Sequence, residues 1–279
     1  MSYRVVIDSC GELTEEMKRS GNFVTASLSL LVDEYTIVDD ETFDQADFLA
    51  KVAASPNSPK SSCPSPEAYR EAYDCGADHV YAVTLSAELS GSYNSAMLGR
   101  NLYLEEHPDA EVYVFNSRSA SIGETLIGLK IRECEEAGMS FKEVVETVEA
   151  YIAGQDTWFV LENLETLRKN GRLSTVKALV ASALKIRPVM GSTDEGTIVQ
   201  LDQARGTNRA LVKMVDAIVE KVENPEEKIL AISHCNCYDR AVMVKDALQK
   251  KRKFKDVIIL DTAGVSSMYA NDGGVIVAV

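Results

Sequence analysis

Apolar and polar positions divide the chain into alternating strand-like and helix-like stretches. Tyr3–Ile7 is a short, β-branched apolar run, and Val80–Leu85 and Val112–Phe115 repeat the type. Phe23–Leu31 reads as a further strand that continues into a loop. Between these runs lie helical patterns at Thr14–Arg19, Phe43–Ala54, Ser92–Glu106, Ile122–Ala137 and Phe141–Ala153. Thr42 with Gln45, and Ser140 with Glu143, have the spacing of capping boxes. Pro66 directly after Ser65 suits a first helical position. Ser55–Ser65, with three prolines and five serines, reads as a loop. Strands separated by helices predict a parallel sheet with helices on its faces.

After Ala153–Thr157 the rhythm changes. Thr157–Leu161 is strand-like, Leu164–Lys169 is helical, and Gly171 stands where a helix C-cap is expected. Val176–Leu184 predicts a buried helix. Ile186–Ser192 and Thr197–Leu201 flank the turn signal Thr193-Asp194-Glu195-Gly196 and read as a hairpin. Helices at Asn208–Val222 and Asp239–Lys250, with strands at Lys228–Ser233, Val257–Leu260 and Val275–Val279, complete a second α/β unit. The expectation is an α/β protein of two domains. Residues 1–155 form a parallel-sheet α/β domain, residues 156–279 an α/β domain with a mixed sheet, and the ligand site lies between them.

Composition narrows the function. The 279 residues carry a net charge of −14, which disfavours nucleic acid and anionic membrane surfaces as partners. No stretch has the length of a membrane span or a signal peptide, so a cytoplasmic protein without stable membrane insertion is expected. The six cysteines lack paired metal-ligand spacing, so neither a zinc site nor a disulfide framework is expected, and no cofactor is called for. His79 and His234 flank strands and read as structural; His107 reads as exposed. There is no Gly-x-Ser-x-Gly elbow, P-loop or dinucleotide fingerprint.

The candidate chemistry sits at junctions rich in small hydroxyl residues. In Leu85-Ser86-Ala87-Glu88-Leu89-Ser90-Gly91-Ser92 a buried strand gives way to a helix start, where backbone N–H groups and the Ser90 and Ser92 hydroxyls suit a carboxylate or phosphate. The plain alternative is a serine that caps a helix. Asp8-Ser9-Cys10-Gly11, Lys60-Ser61-Ser62-Cys63 and Asn116-Ser117-Arg118-Ser119 are comparable turns.

These blocks together resemble the DegV family, which includes the fatty-acid-binding subunits of bacterial fatty acid kinase. Asp8-Ser9 with Leu13 looks like its opening motif, and Ser61-Ser62-Cys63-Pro64-Ser65 stands where the family has Thr-Ser-Gln-Pro-Ser. Leu85-Ser86 through Ser90-Gly91-Ser92-Tyr93 to Ser95-Ala96, and Asn116-Ser117 through Gly123, are similar to two further blocks. Leu164, Leu167, Gly171-Arg172-Leu173-Ser174, Lys185-Ile186-Arg187-Pro188, Gly196 and Arg205-Gly206 complete the match. The resemblance implies a non-enzymatic subunit that holds one long-chain fatty acid in an interdomain tunnel and presents its carboxylate to a separate kinase. Ser61, Ser90, Gly91 and Tyr269 would meet the carboxylate, supported by Ser62, Ser92, Asp8 and Ser9. Tyr269 replaces the family's histidine in Tyr269-Ala270-Asn271-Asp272-Gly273. A serine hydrolase or phosphotransferase built on Ser90, with His234 as its base, and a regulatory protein with a degenerate lipid site are the competing readings. Between Glu165 and Lys213 nine basic residues meet four acidic ones, so Arg172 and Arg205 are expected to dock the kinase.

Overall fold

In this computed structural model the described residues are 1–173 and 185–279, so the helix expected at Val176–Leu184 and the motif residue Ser174 lie outside them. The first half runs β1 (Tyr3–Asp8), α1 (Glu15–Ser20), β2 (Phe23–Ala26), β3 (Ser29–Val32), β4 (Tyr35–Val38), α2 (Gln45–Ala54), β5 (Lys60–Ser62), α3 (Pro66–Tyr73), β6 (His79–Thr84), α4 (Ser92–Glu106), β7 (Glu111–Asn116), α5 (Ile122–Glu136) and α6 (Phe141–Ala153). The second half runs β8 (Thr157–Val160), α7 (Glu165–Lys169), β9 (Ile186–Ser192), β10 (Ile198–Arg205), α8 (Thr207–Lys221), β11 (Ile229–His234), α9 (Tyr238–Lys251), β12 (Asp256–Asp261), α10 (Gly264–Ala270) and β13 (Val275–Ala278).

Three sheets result. β2-β1-β6-β7 is wholly parallel, as the strand–helix alternation predicts. All six residues of β6 are buried, the mark of a parallel strand covered on both faces. β10-β9-β8-β13-β11-β12 is mixed: β11 and β12 are parallel and the other pairs antiparallel. The α/β class with one parallel and one mixed sheet is thus as expected. A third, small antiparallel sheet, β4-β3-β5, was not.

α5 joins the two large sheets. One side of it places Ile127, Ile131 and Cys134 in the core of the parallel sheet with Val5, Ile7 and Tyr81. Its start places Ile122 and Leu126 among Leu161, Met190, Ala231 and Ile276 of the mixed sheet. A helix apolar on several sides belongs between layers. Trp158, Met214 and Leu230 anchor a separate core beneath α8 and α9.

Several local expectations change. Thr42 does not cap α2: its hydroxyl donates to Asp40, and Asp44 accepts the Asp47 N–H instead. A carboxylate adjacent to the first turn displaces the hydroxyl two residues further back. Phe23–Leu31 is two strands in different sheets, because β2 pairs with β1 whereas β3 pairs with β4 and β5. The Ser55–Ser65 loop contains β5, held by backbone pairing with β3 and not by an apolar pattern. The Ser140–Glu143 capping box and Pro66 after the Ser65 cap are present as expected.

The turn of the β9–β10 hairpin touches the parallel sheet. Ser86 donates its hydroxyl to the Gly196 carbonyl at 2.8 Å. Gly196 has φ +90°, and a Cβ there would lie 2.4 Å from Ser86 Oγ and 2.7 Å from Arg118 Cα. Both backbone strain and collision with main chain oppose any larger residue. Gly196→Ala is therefore expected to lower the unfolding free energy by ~2 kcal/mol in urea titrations; a midpoint equal to that of wild type would contradict this contact.

Candidate functional site

The loops at the carboxyl ends of β1, β6 and β7 are organised by one buried carboxylate. Asp8, at the end of β1, is fully buried. It accepts the Leu85 N–H at 2.8 Å, the Cys10 N–H at 3.1 Å and the Ser92 hydroxyl at 2.5 Å. The Tyr69 and Ser92 hydroxyls are also 2.6 Å apart. Burial raises the Asp8 pKa despite these hydrogen bonds. Ser9 is spent on structure too, accepting the Leu28 N–H. Asp8, Ser9 and Ser92 thus shape the site from behind and do not line it.

The site itself is a cavity between the parallel and mixed sheets. It is narrow, with a volume, mouth included, of about 820 Å³. Leu85, Leu89, Phe159, Leu161, Ile198 and Ile276 give it apolar walls. Ser61, Ser90, Arg172 and Tyr269 line it together. β5 brings in Ser61, the turn before α4 brings in Ser90, and α10 brings in Tyr269. The Arg172 guanidinium donates to the Leu89 carbonyl at 3.1 Å, which fixes it beside the Ser90 turn. Ser90 Oγ accepts the N–H of Ser92, the first residue of α4, at 3.2 Å, while the N-cap Gly91 has no side chain to cap the helix.

Other expected residues fall elsewhere. Gly91 is the N-cap of α4 and Ser62 is an exposed residue of β5; neither lines the cavity. Arg172 and Arg205 are not neighbours on one basic face. Arg172 belongs to the cavity wall, whereas Arg205 lines a surface hollow with Arg209 and Arg240. Arg168, Arg187 and Lys213 of the basic stretch are ion-paired with Glu165, Glu162 and Asp202. None of the three histidines lines the cavity. His79 is buried against Glu135 and Glu111, and His234 accepts the Cys237 N–H beside Asp261, so Ser90 has no imidazole beside it.

Two features of the site go beyond the sequence-based expectations. Ser119, Thr157, Ser192 and Thr197 add a second hydroxyl-lined region where the hairpin turn closes the cavity, with Ser119 and Thr157 hydroxyls 2.6 Å apart. Only Ser119 lies in a hydroxyl-rich junction of the sequence; Thr157 and Ser192 are ordinary polar positions on β8 and β9, and Thr197 directly precedes β10. The second feature is a set of buried acids: Glu12, Asp39 and Glu124 join Asp8. No N–H or O–H donor reaches either oxygen of Glu124 among the described residues. Burial and the charge of Asp8 push its carboxyl well above the usual range. Burial pushes Glu12 up to about 7, although it accepts the Ser121 hydroxyl at 2.8 Å. Among the described residues no three His, Cys, Asp or Glu side chains converge to hold a metal ion. No helix among them is long and apolar enough to cross a membrane.

The acids make stability depend on pH. A raised folded-state pKa means that the folded protein holds the proton more tightly than the unfolded chain. That contribution is full at acid pH and is lost as pH rises through the folded pKa, here about 7 for Glu12. Between pH 5 and pH 8 the wild type is expected to lose ~2 kcal/mol more unfolding free energy than Glu12→Gln. Urea titrations at both pH values check this; parallel pH profiles for the two proteins would contradict it.

Comparison with known proteins agrees with this architecture. The sequence profile of the DegV family, described as "Uncharacterised protein, DegV family", matches residues 2–279. A DegV domain-containing protein of Streptococcus pneumoniae is 33% identical over 281 residues, covering 99% of this chain and 98% of its own. A crystal structure of a DegV family protein from Ruminococcus gnavus, refined with vaccenic acid, is 56% identical, covers 100% of both chains and superposes with a TM-score of 0.98. The fatty acid kinase B3 protein of Streptococcus pneumoniae, loaded with linoleic acid, is 31% identical, covers 100% of this chain and 99% of its own, and has a TM-score of 0.90. A DegV family protein from Eubacterium eligens loaded with heptadecanoic acid is 28% identical, covers 99% of both chains and has a TM-score of 0.89. With its profile matched from end to end and its two-sheet architecture shared, this chain belongs to the DegV family.

Proposed function

We propose that this protein binds one long-chain fatty acid in the cavity between its sheets and presents the carboxylate to a separate kinase, without catalysing a reaction itself. The observation that carries the reading is the pairing of a narrow apolar cavity with a hydroxyl-lined region made by Ser61, Ser90 and Tyr269. The fatty acids bound by the Ruminococcus, Streptococcus and Eubacterium relatives support it.

The physical fit is direct. Leu89, Phe159, Leu161 and Ile276 offer surface on which an acyl chain loses contact with water. At about 0.8 kcal/mol per methylene the gross gain for a long chain is on the order of 10 kcal/mol. Ordering of the chain and desolvation of the carboxylate subtract from it. Hydroxyl donors and the Arg172 guanidinium stabilise the carboxylate through charge-assisted hydrogen bonds. Tyr269 supplies a hydroxyl where the family's histidine would stand. Arg205, with Arg209 and Arg240 along its hollow, is the proposed contact for the kinase. Gly91 contributes the helix start beside the carboxylate.

Mass spectrometry of the small molecules released from purified protein is expected to detect fatty acids in near-stoichiometric amount. Protein that is lipid-free and also fails to bind added oleate would refute the reading. Ser90→Ala is expected to weaken oleate binding about tenfold, the loss of one hydrogen bond to a charged group. Calorimetry on delipidated protein measures this, and an unchanged affinity would remove Ser90 from the carboxylate site. Arg205→Ala is expected to leave oleate binding unchanged and to slow phosphorylation by an added fatty acid kinase; equal rates would remove Arg205 from the docking surface.

A further inference from the structure

We infer that Asp39 is a positioning residue that clamps the small sheet carrying Ser61 to the helix carrying Tyr269, so that the two sides of the carboxylate site close together. The inference deepens the fatty-acid reading and rests on it for its functional consequence; the clamp itself does not.

Asp39 directly follows β4 in the small sheet and is buried, 2% exposed. Its two oxygens accept the first two N–H groups of α10: Gly264 N–H on Oδ1 at 2.7 Å and Val265 N–H on Oδ2 at 2.8 Å. The packing admits nothing larger than glycine at 264, where a Cβ would lie 2.6 Å from Asp39 Oδ1. From α2, Gln45 adds a second tie, donating to the Thr262 carbonyl at 3.0 Å and the Ser267 hydroxyl at 3.2 Å. Leu28, Leu30 and Phe48 pack beneath these bonds against Val265 and Met268 of α10. β3 in turn holds β5, with Leu30 opposite Ser61. The Asp39 N–H also donates to the Leu28 carbonyl at 2.9 Å, so the connection runs from half-buried Ser61 through Leu30 and Leu28 to Asp39, then along α10 to half-buried Tyr269.

The clamp has a pH dependence with a definite sign. Asp39 faces Asp8 and the Ser9 hydroxyl from β1, and the N–H groups of α10; burial pushes its carboxyl up to about 6. Glu12 approaches the same helix start through the Ala263 N–H at 3.4 Å, with Cys10 and Glu124 behind it, and Tyr269 is the titratable side chain on α10 itself. Opening the clamp returns Asp39 to water, where a carboxyl titrates near 4. The closed form thus binds the proton more tightly than the open form. Acid pH favours closure, and opening becomes easier as pH rises through about 6.

The test has two arms. The first is hydrogen exchange of the ligand-free protein, read as protection factors corrected for intrinsic rates. Asp39→Ala is expected to lower protection at Gly264–Val265 and also across Lys60–Ser62, with the parallel sheet unchanged. Gln45→Ala is expected to lower the same two segments less. Loss of protection confined to α10, with Lys60–Ser62 as in wild type, would overturn the clamp. The second arm is release of cis-parinaric acid, an 18-carbon fluorescent fatty acid, from pH 5 to pH 8. Wild-type release is expected to quicken roughly tenfold over this range, and Asp39→Asn, which cannot ionise, to flatten most of that rise. Asp39→Ala is expected to release about tenfold faster than wild type at pH 5. A wild-type profile independent of pH, or an Asp39→Asn profile as steep as wild type, would overturn the assignment. Failure of wild type to bind cis-parinaric acid at all counts against the fatty-acid reading, while the exchange arm still decides the clamp.

Discussion

A carboxyl buried with no basic partner among the described residues is the constraint around which the site is arranged. Asp8 ends β1 inside the protein, and the groups that satisfy it are the Leu85 and Cys10 N–H groups and the Ser92 hydroxyl. Those donors belong to the turns that shape the cavity. An uncompensated buried carboxylate costs several kcal/mol, so the turns have little freedom to drift. Fixing the turn from Leu85 to Ser92 fixes Ser90, whose N–H donates to the Ser86 carbonyl and whose hydroxyl accepts the Ser92 N–H.

The cavity is the second half of the same arrangement. α5 fills most of the gap between the two large sheets, but beyond its start the walls do not meet. Empty apolar space lowers stability, because the lining atoms lose contacts on one side. A ligand that fills it stabilises the folded state in proportion to its saturation. The hairpin turn at Gly196 closes one boundary against Ser86 and Arg118, and α10 with the small sheet closes another. Both closures are made by short segments that hold no large core of their own. The rigid sheets carry the walls, and the small elements decide access.

Much of this was legible in the chain. Long periodic segments such as α4, α5 and α6 stand where the pattern put them, because their apolar faces have only one way to be buried. The hydroxyl-rich turns at Ser61 and Ser90 both reach the cavity. β5 escaped notice because its sequence, Lys60-Ser61-Ser62, has no apolar face; its partner strand makes it a strand. α10 escaped because Val265-Ser266-Ser267 mixes buried hydroxyls into a helix buried at every position but Tyr269, which erases the amphipathic signal. Glu12, Asp39 and Glu124 look like surface acids in sequence, and only tertiary placement reveals them as buried. Arg172 and Arg205 share a basic stretch in sequence yet separate in space, since the chain passes through the cavity wall between them.

The central claim is that the space between the sheets is built around an acyl chain whose carboxylate meets Ser61 and Ser90. A crystal structure of protein purified without added lipid tests it most directly. The account predicts continuous, unbranched density along Leu89, Phe159, Leu161 and Ile276, ending within hydrogen-bond distance of the Ser61 and Ser90 hydroxyls. A cavity holding only discrete waters, or a compact polar molecule away from those serines, would contradict it.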